Sequence, residues 1–206
     1  MPNRTIVALK WIVFPACLVP LGLLVYHGFT NTLGPDPVAR LTHRTGFWTL
    51  YLLLISLAIT PLRLLSPKLA WLIRFRRMTG LFAFFYGTLH LTVWVWLFSS
   101  FDVHAMLHDI AKRPYVTMGM LGWLLMLPLA LTSTRGAIRR LGKRWMVLHR
   151  LAYGAAVAGV IHYWWIVKSG VRTPWKVTIV LAILLGARII WTAKENARKK
   201  KLAVAV

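Results

Sequence analysis

Histidine is the residue type in this chain whose spacing could do chemistry. His149 and His162 lie thirteen positions apart in one apolar stretch, LHRLAYGAAVAGVIHYWW (148–165), and His90 lies in another, FFYGTLHLTVWVW (84–96). An ionisable side chain at membrane depth is costly unless something engages it, so its presence there points to function. Neutral imidazoles from two facing helices make suitable axial ligands for a b-type haem, and a haem within a bilayer moves electrons. The competing reading is that each histidine hydrogen-bonds a neighbouring helix and binds nothing. Arg76 and Arg77, in RFRR at 74–77, belong to a basic segment that directly precedes the apolar stretch carrying His90. Their plainer role is topology and contact with lipid headgroups. Their sharper one is to hold a flavin phosphate or a haem propionate, since the guanidinium fork suits phosphate and carboxylate.

These residues need a membrane around them, and the composition supplies the argument. The chain is 58% hydrophobic and 15% charged, with Asp36, Asp102, Asp109 and Glu195 its only acids, whereas soluble domains carry about a quarter charged residues. A formal charge of +22 would fit nucleic-acid binding. The basic residues instead form short clusters between apolar runs of spanning length, as positive-inside membrane proteins have them, and no nucleic-acid partner is expected. A single cysteine, Cys17, excludes intrachain disulfides, thiolate metal sites and iron–sulfur clusters. The N-terminus has basic residues followed by an apolar run, like a signal peptide. Pro15 and Pro20 interrupt that run and no A-x-A site follows, so it reads as an uncleaved first span.

Six segments approach the roughly 20 apolar residues a spanning helix needs: 8–27, 47–65, 80–99, 115–133, 146–167 and 175–193. NTLGPDP, PLRLLSPK, KRP, TSTRG and KSGVRTP punctuate the connections. The expectation is an all-α integral membrane protein, a single domain over 1–206 folded as a six-helix transmembrane bundle. Seventeen lysines and arginines fall on the N-terminal side of the membrane and seven on the other, with Arg150 and Arg188 inside spans. That asymmetry puts both termini in the cytoplasm. Trp94, Trp96, Trp164, Trp165 and Trp175 fit an aromatic belt at the outer interface.

Depth then sorts the histidines. His90 lies at mid-depth or slightly beyond, His162 well towards the outside, and His149 near the cytoplasmic boundary, ~20 Å from His162 along a helix axis. His90 and His162 can therefore share one haem across the bundle, with Gly87, Thr88, Ala155, Ala158 and Gly159 leaving room for a flat macrocycle. Thirteen residues turn a straight helix by about −140°, so a second site at His149 needs a distorted helix or another partner. Gly154 and Gly159 lie between the two histidines and would permit a kink. Arg76, fourteen residues before His90, falls at about the level of His149. His27, His43, His104 and His108 fall at outer helix ends or loops, where His43 could contact a quinone or a haem propionate.

An ordered series of motifs carries a resemblance over almost the whole chain: GPDPV (34–38), THRTG (42–46), LIRFRRMTGL (72–81), TLHLT (88–92), RPYVTMG (113–119), LTST (131–134), LGKRWMVLH (141–149) and IHYWWIVK (161–168). In these the sequence resembles the MsrQ (formerly YedZ) family, haem-binding membrane subunits of the bacterial periplasmic methionine sulfoxide reductase system. More broadly it is similar to ferric-reductase-like transmembrane domains, in which two helices each carry two haem-ligating histidines. Here Arg76 and Arg77 occupy the level where the third span should carry its cytoplasmic-side histidine. The resemblance implies a protein of the bacterial inner membrane. It would pass electrons from the quinone pool, through flavin mononucleotide (FMN) and haem b, to a periplasmic molybdopterin-containing catalytic subunit that repairs oxidised proteins. It also implies haem-ligand positions at His90, His149 and His162, and flavin-linked positions at Arg76 and Arg77.

The chain's own chemistry fits a relay. It has no redox cysteine pair and no glycine-rich nucleotide motif, so it cannot take hydride from NADH unaided. Sulfoxide chemistry is expected on the partner, docked on the outer loops at 100–114 and 168–174. The rival readings are a free-standing transmembrane ferric or quinone-linked reductase, and a transporter or structural protein without haem. Few intramembrane acids and no internal repeat count against a transporter.

Overall fold

The computed structural model describes residues 3–167 and 174–204. Among these residues every regular element is helical. The elements are α1 (Asn3–Phe29), α2 (Pro37–Leu65), a 3-10 segment (Pro67–Leu72), α3 (Ile73–Val93) continuing into a π turn (Trp94–Phe98), α4 (Val103–Lys112), α5 (Pro114–Leu131), α6 (Arg135–Leu141), α7 (Lys143–Leu148), α8 (Leu151–Ile166) and α9 (Trp175–Val204).

Five helical stretches are long and apolar enough to cross a membrane: Arg4–Phe29, Pro37–Leu65, Pro67–Phe98, Pro114–Leu131 and Trp175–Lys200. The segment expected as a fifth span over 146–167 is divided. α7 ends at Leu148, His149 and Arg150 form a turn, and α8 runs for 16 residues, or about 24 Å at 1.5 Å per residue. That is short of a roughly 30 Å hydrocarbon core. The straight helix assumed for the His149–His162 phase does not exist, because the break falls at His149 itself.

Other boundaries move for identifiable reasons. α2 starts ten residues before the expected 47, because the Asp36 carboxylate accepts from the Ala39 N–H and Pro37 occupies the first turn. Those are strong start signals, masked by the polar run that follows them. α3 likewise begins before 80 and takes in Arg74, Arg76 and Arg77. The connection at 100–114 contains α4, capped by Asp102 on the Ala105 N–H, with Val103, Met106, Leu107 and Ile110 at the spacing of one apolar face. On the N-terminal side, Gly142 (φ 49°) turns the chain between α6 and α7.

The centre of the bundle is α2, α3, α5 and α8, with α2 along α3 and α5 along α8. Leu50, Leu53, Leu57, Phe82, Ala83, Tyr86, Met126, Ala152, Ala155, Ala156 and Val160 form one buried cluster, joined by Val177 and Leu181 of α9. Where lipid replaces water, helices associate by close packing of small side chains. α8 accordingly buries Ala152, Ala155, Ala156 and Ala158. Trp164 Nε1 donates to Thr178 Oγ1 at 2.8 Å and ties α8 to α9.

α1 and α9 stand at the periphery. Trp11, Ile12, Val19, Leu23, Ile183, Ile189 and Ile190 are all more than half exposed, a surface suited to acyl chains rather than water. A buried hydroxyl ties α1 to α3. Tyr86, fully buried on α3, donates its hydroxyl to the Cys17 carbonyl at 2.7 Å and accepts from the Leu21 N–H at 3.2 Å. Those two groups are separated by one helical turn, so the hydroxyl is inserted into the ladder of α1 beside Pro20, an insertion of the kind that bends helices.

Candidate functional site

α3 and α8 bring His90 and His162 together, with ring centres 5.9 Å apart and ring planes at 85°. The His90 Nδ1 donates to the Thr42 carbonyl of α2 at 3.0 Å, with Thr45 Oγ1 3.4 Å away. The His162 Nδ1 donates to the Tyr115 carbonyl of α5 at 2.6 Å. A carbonyl only accepts, so each Nδ1 carries the proton. Each neutral ring therefore keeps its Nε2 lone pair free. This is the state in which histidine ligates a metal, with the second nitrogen anchored to fix the ring.

The pair fits the axial positions of a haem on three grounds. Metal–imidazole bonds of about 2 Å put two trans imidazole centres roughly 6 Å apart, close to the spacing observed. Both tautomers are set for ligation through Nε2. Each ring also occupies a notch left by a glycine. A Cβ on Gly46 would lie 3.1 Å from the His90 Cε1 and Nδ1, and one on Gly119 would lie 2.8 Å from the His162 Nδ1. Among the described residues no group of three or more histidine, cysteine, aspartate or glutamate side chains could hold a metal ion unaided.

His149 is held differently. It lies in the turn between α7 and α8, where its Nδ1 donates to the carbonyl of Trp145 in its own chain segment at 3.1 Å. Its ring stacks on the Trp145 indole with centres 3.8 Å apart, and Trp145 Nε1 is in turn fixed on the Thr132 carbonyl at 3.0 Å. Arg76, Arg77 and His149 line a common cavity of about 220 Å³, along with Ser56, Gly80, Phe84, Ser133 and Trp145. The three site residues expected on the cytoplasmic side are thus brought to one place, away from the His90–His162 pair. Two guanidinium groups beside hydroxyls and aromatic faces suit an anionic, planar group. The volume is below the roughly 300–1,000 Å³ of complete ligand pockets, so the enclosed space suits one part of such a group.

A second cavity, about 250 Å³, lies between α1 and α2 and is lined by Val19, Pro20, Leu23, His27, Arg40, Arg44 and Trp48 among others. His43 is exposed and lines neither cavity, and His104 and His108 are exposed on α4. Of the outer loops expected to dock a partner, 100–114 carries α4, while residues 168–173 lie outside the described residues. The sequence reading missed the carbonyls of Thr42 and Tyr115, and with them Gly46 and Gly119. A glycine inside a helix weakens it, and its presence in THRTG and RPYVTMG was the available signal.

Residues 45–160 match the family model for the ferric reductase like transmembrane component. A protein of Herminiimonas arsenicoxydans is 45% identical over 205 residues, covering 98% of this chain and 93% of that protein. A protein of Xanthomonas campestris pv. campestris (strain 8004) is 48% identical over 191 residues, covering 90% and 87%. One of Xanthomonas euvesicatoria pv. vesicatoria is 47% identical over 203 residues, covering 96% and 92%. All three bear the name protein-methionine-sulfoxide reductase heme-binding subunit MsrQ.

The chain belongs to the MsrQ family. Membership and the apolar helices together make it a membrane protein with a ferric-reductase-like domain. The matched region runs from Thr45, beside His90, to Val160, two residues short of His162, and so contains His90, Gly46, Tyr115 and Gly119 but neither Thr42 nor His162.

Proposed function

We propose that this protein is the b-type haem electron-transfer subunit of a methionine sulfoxide reductase system, with His90 and His162 as the axial ligands of its outer haem. The observation that carries this reading is the pair itself: two neutral imidazoles 5.9 Å apart, each with Nδ1 tied to a backbone carbonyl. A haem held there would accept and pass on single electrons. The chain's part is to present both Nε2 atoms, to keep water from the site with the apolar faces of α2, α3, α5 and α8, and to fix the ligands so that little rearranges as charge moves.

Around this centre we place the remaining parts. Arg76 and Arg77 bind the phosphate of FMN in the cytoplasmic-side cavity, or a propionate of a second haem ligated by His149. Quinone is the electron donor, and the apolar cavity between α1 and α2, bordered by Arg40 and Arg44, offers space for such a lipid-soluble carrier. The acceptor is a periplasmic molybdopterin-containing subunit of the MsrP type, docked on the outer surface that carries α4. Sulfoxide reduction occurs on that partner and repairs oxidised proteins. α8 crosses as a short sixth span, which leaves both termini in the cytoplasm of a bacterium and the protein in its inner membrane.

The test is a reduced-minus-oxidised visible spectrum of the detergent-purified protein, with haem quantified per chain, for the wild type and for His90→Ala, His149→Ala and His162→Ala. The expected result is loss of the outer b-type signal in His90→Ala and His162→Ala, with signal retained in His149→Ala. A wild type without haem would overturn the reading.

A further inference from the structure

The two histidines of the pair rest in seats of the same construction on two different helices. The accepting carbonyl of the first belongs to Thr42 and the crowding glycine is Gly46. In the second they are Tyr115 and Gly119. Each time the glycine follows the carbonyl by four residues, so it is the residue whose own N–H that carbonyl receives in an α-helix. A carbonyl has two lone pairs and can serve both donors, but only if the imidazole comes in against the helix flank over the following turn. A Cβ at that position would stand 3.1 Å from the His90 ring in one seat and 2.8 Å from the His162 ring in the other.

We propose that Gly46 and Gly119 are positioning residues whose carbonyl–glycine seats lock the two axial imidazoles at right angles to each other. The inference rests on reading His90 and His162 as the ligands of one haem. Within each seat the Nδ1–H tether fixes the direction of the ring and the bare helix flank fixes its plane. Rotating a ring about its Cβ–Cγ bond would carry Nδ1 off its carbonyl. α2 and α5 therefore set the 85° between the ring planes, and the histidines' own helices do not set it alone.

The angle has an electronic consequence. An imidazole mixes its π orbital with the one iron d orbital that lies perpendicular to its plane. Coplanar rings act on the same d orbital and split the pair. Perpendicular rings act on one each and leave the pair nearly degenerate. Low-spin ferric iron between perpendicular imidazoles consequently gives a strongly anisotropic paramagnetic resonance signal, and coplanar ones give a rhombic signal.

The experiment is low-temperature paramagnetic resonance of the full-length, haem-containing ferric protein in detergent. It is repeated in a His149→Ala background so that only the His90–His162 site contributes. The wild type should show the strongly anisotropic signal. Gly119→Ala, the tighter seat, and Gly46→Ala should move it towards the rhombic form, or to high spin through loss of a ligand. Gly22→Ala and Gly186→Ala, which face open space, should leave it unchanged. Alanine is the better helix former, so loss of haem confined to the two seat variants supports displacement of a ligand. A rhombic wild-type spectrum, or wild-type spectra in both seat variants, would overturn the proposal and leave the haem reading intact. A wild type without haem would overturn both.

Discussion

The His90–His162 site and the His149 site place histidine in opposite mechanical situations. His90 and His162 are each anchored to a backbone carbonyl of a neighbouring helix, so their rings are fixed by the packing of four helices. His149 is anchored to Trp145, four residues back in its own segment, and stacked on the same residue. Across the cavity it meets Arg76 and Arg77, with no second histidine among the lining residues. The first site is thus a matched pair of neutral imidazoles, each with its Nε2 free. The other is one imidazole facing cations, which suits an anionic group better than a bis-histidine iron. Ligand chemistry follows what the opposing helix supplies, and α3 supplies imidazole at one level and guanidinium at the other.

The largest effects should come from breaking the pair. His90→Ala or His162→Ala should remove nearly all haem bound at the outer level, whereas His149→Ala should leave that haem in place, as measured by haem per chain. Equal losses in all three variants would mean that the two sites are one unit. Next comes the charge contrast. Arg76→Gln should weaken retention of flavin or of an anionic haem edge by roughly ten- to a hundredfold, matching the ~1.5–3 kcal/mol of a hydrogen bond to a charged group, with the spectrum of haem at the His90–His162 pair unchanged. Flavin content after gel filtration reads this directly, and an unaltered content would remove Arg76 from the site. Trp145→Phe should act in the same region but more weakly, because it keeps a stacking face for His149 and loses only the bond to the Thr132 carbonyl. A shift in any His149-dependent signal without haem loss at the outer pair is the expected outcome.

The smallest effect separates scaffold from site. Tyr86→Phe removes the hydroxyl inserted between the Cys17 carbonyl and the Leu21 N–H. Those groups can bond each other once it is gone, so the cost should be about 1 kcal/mol. It should appear as a lower midpoint of thermal unfolding followed by tryptophan fluorescence, with the haem spectrum unmoved. A large spectral change would show that α1 supports the haem ligands, one turn of α3 beyond Tyr86.

The sequence by itself determined the helical membrane class, the approximate position of each apolar stretch and the pairing of His90 with His162. These follow from quantities local to the chain: run length, charge clustering and depth along a helix. It also put Arg76 at about the level of His149, because fourteen residues separate Arg76 from His90 and thirteen separate His149 from His162. Tertiary structure decided the rest. The turn at His149 divides a stretch that hydropathy alone reads as one helix, because hydropathy carries no information about a local break. The start of α2 at Pro37 rests on a cap whose followers are polar. The seats of the histidines depend on carbonyls of Thr42 and Tyr115, and every residue has a carbonyl, so the one local trace of each seat is the glycine four residues on. Only the approach of α3 to α2 and of α8 to α5 selects which carbonyl receives which imidazole, and which glycine must have no side chain.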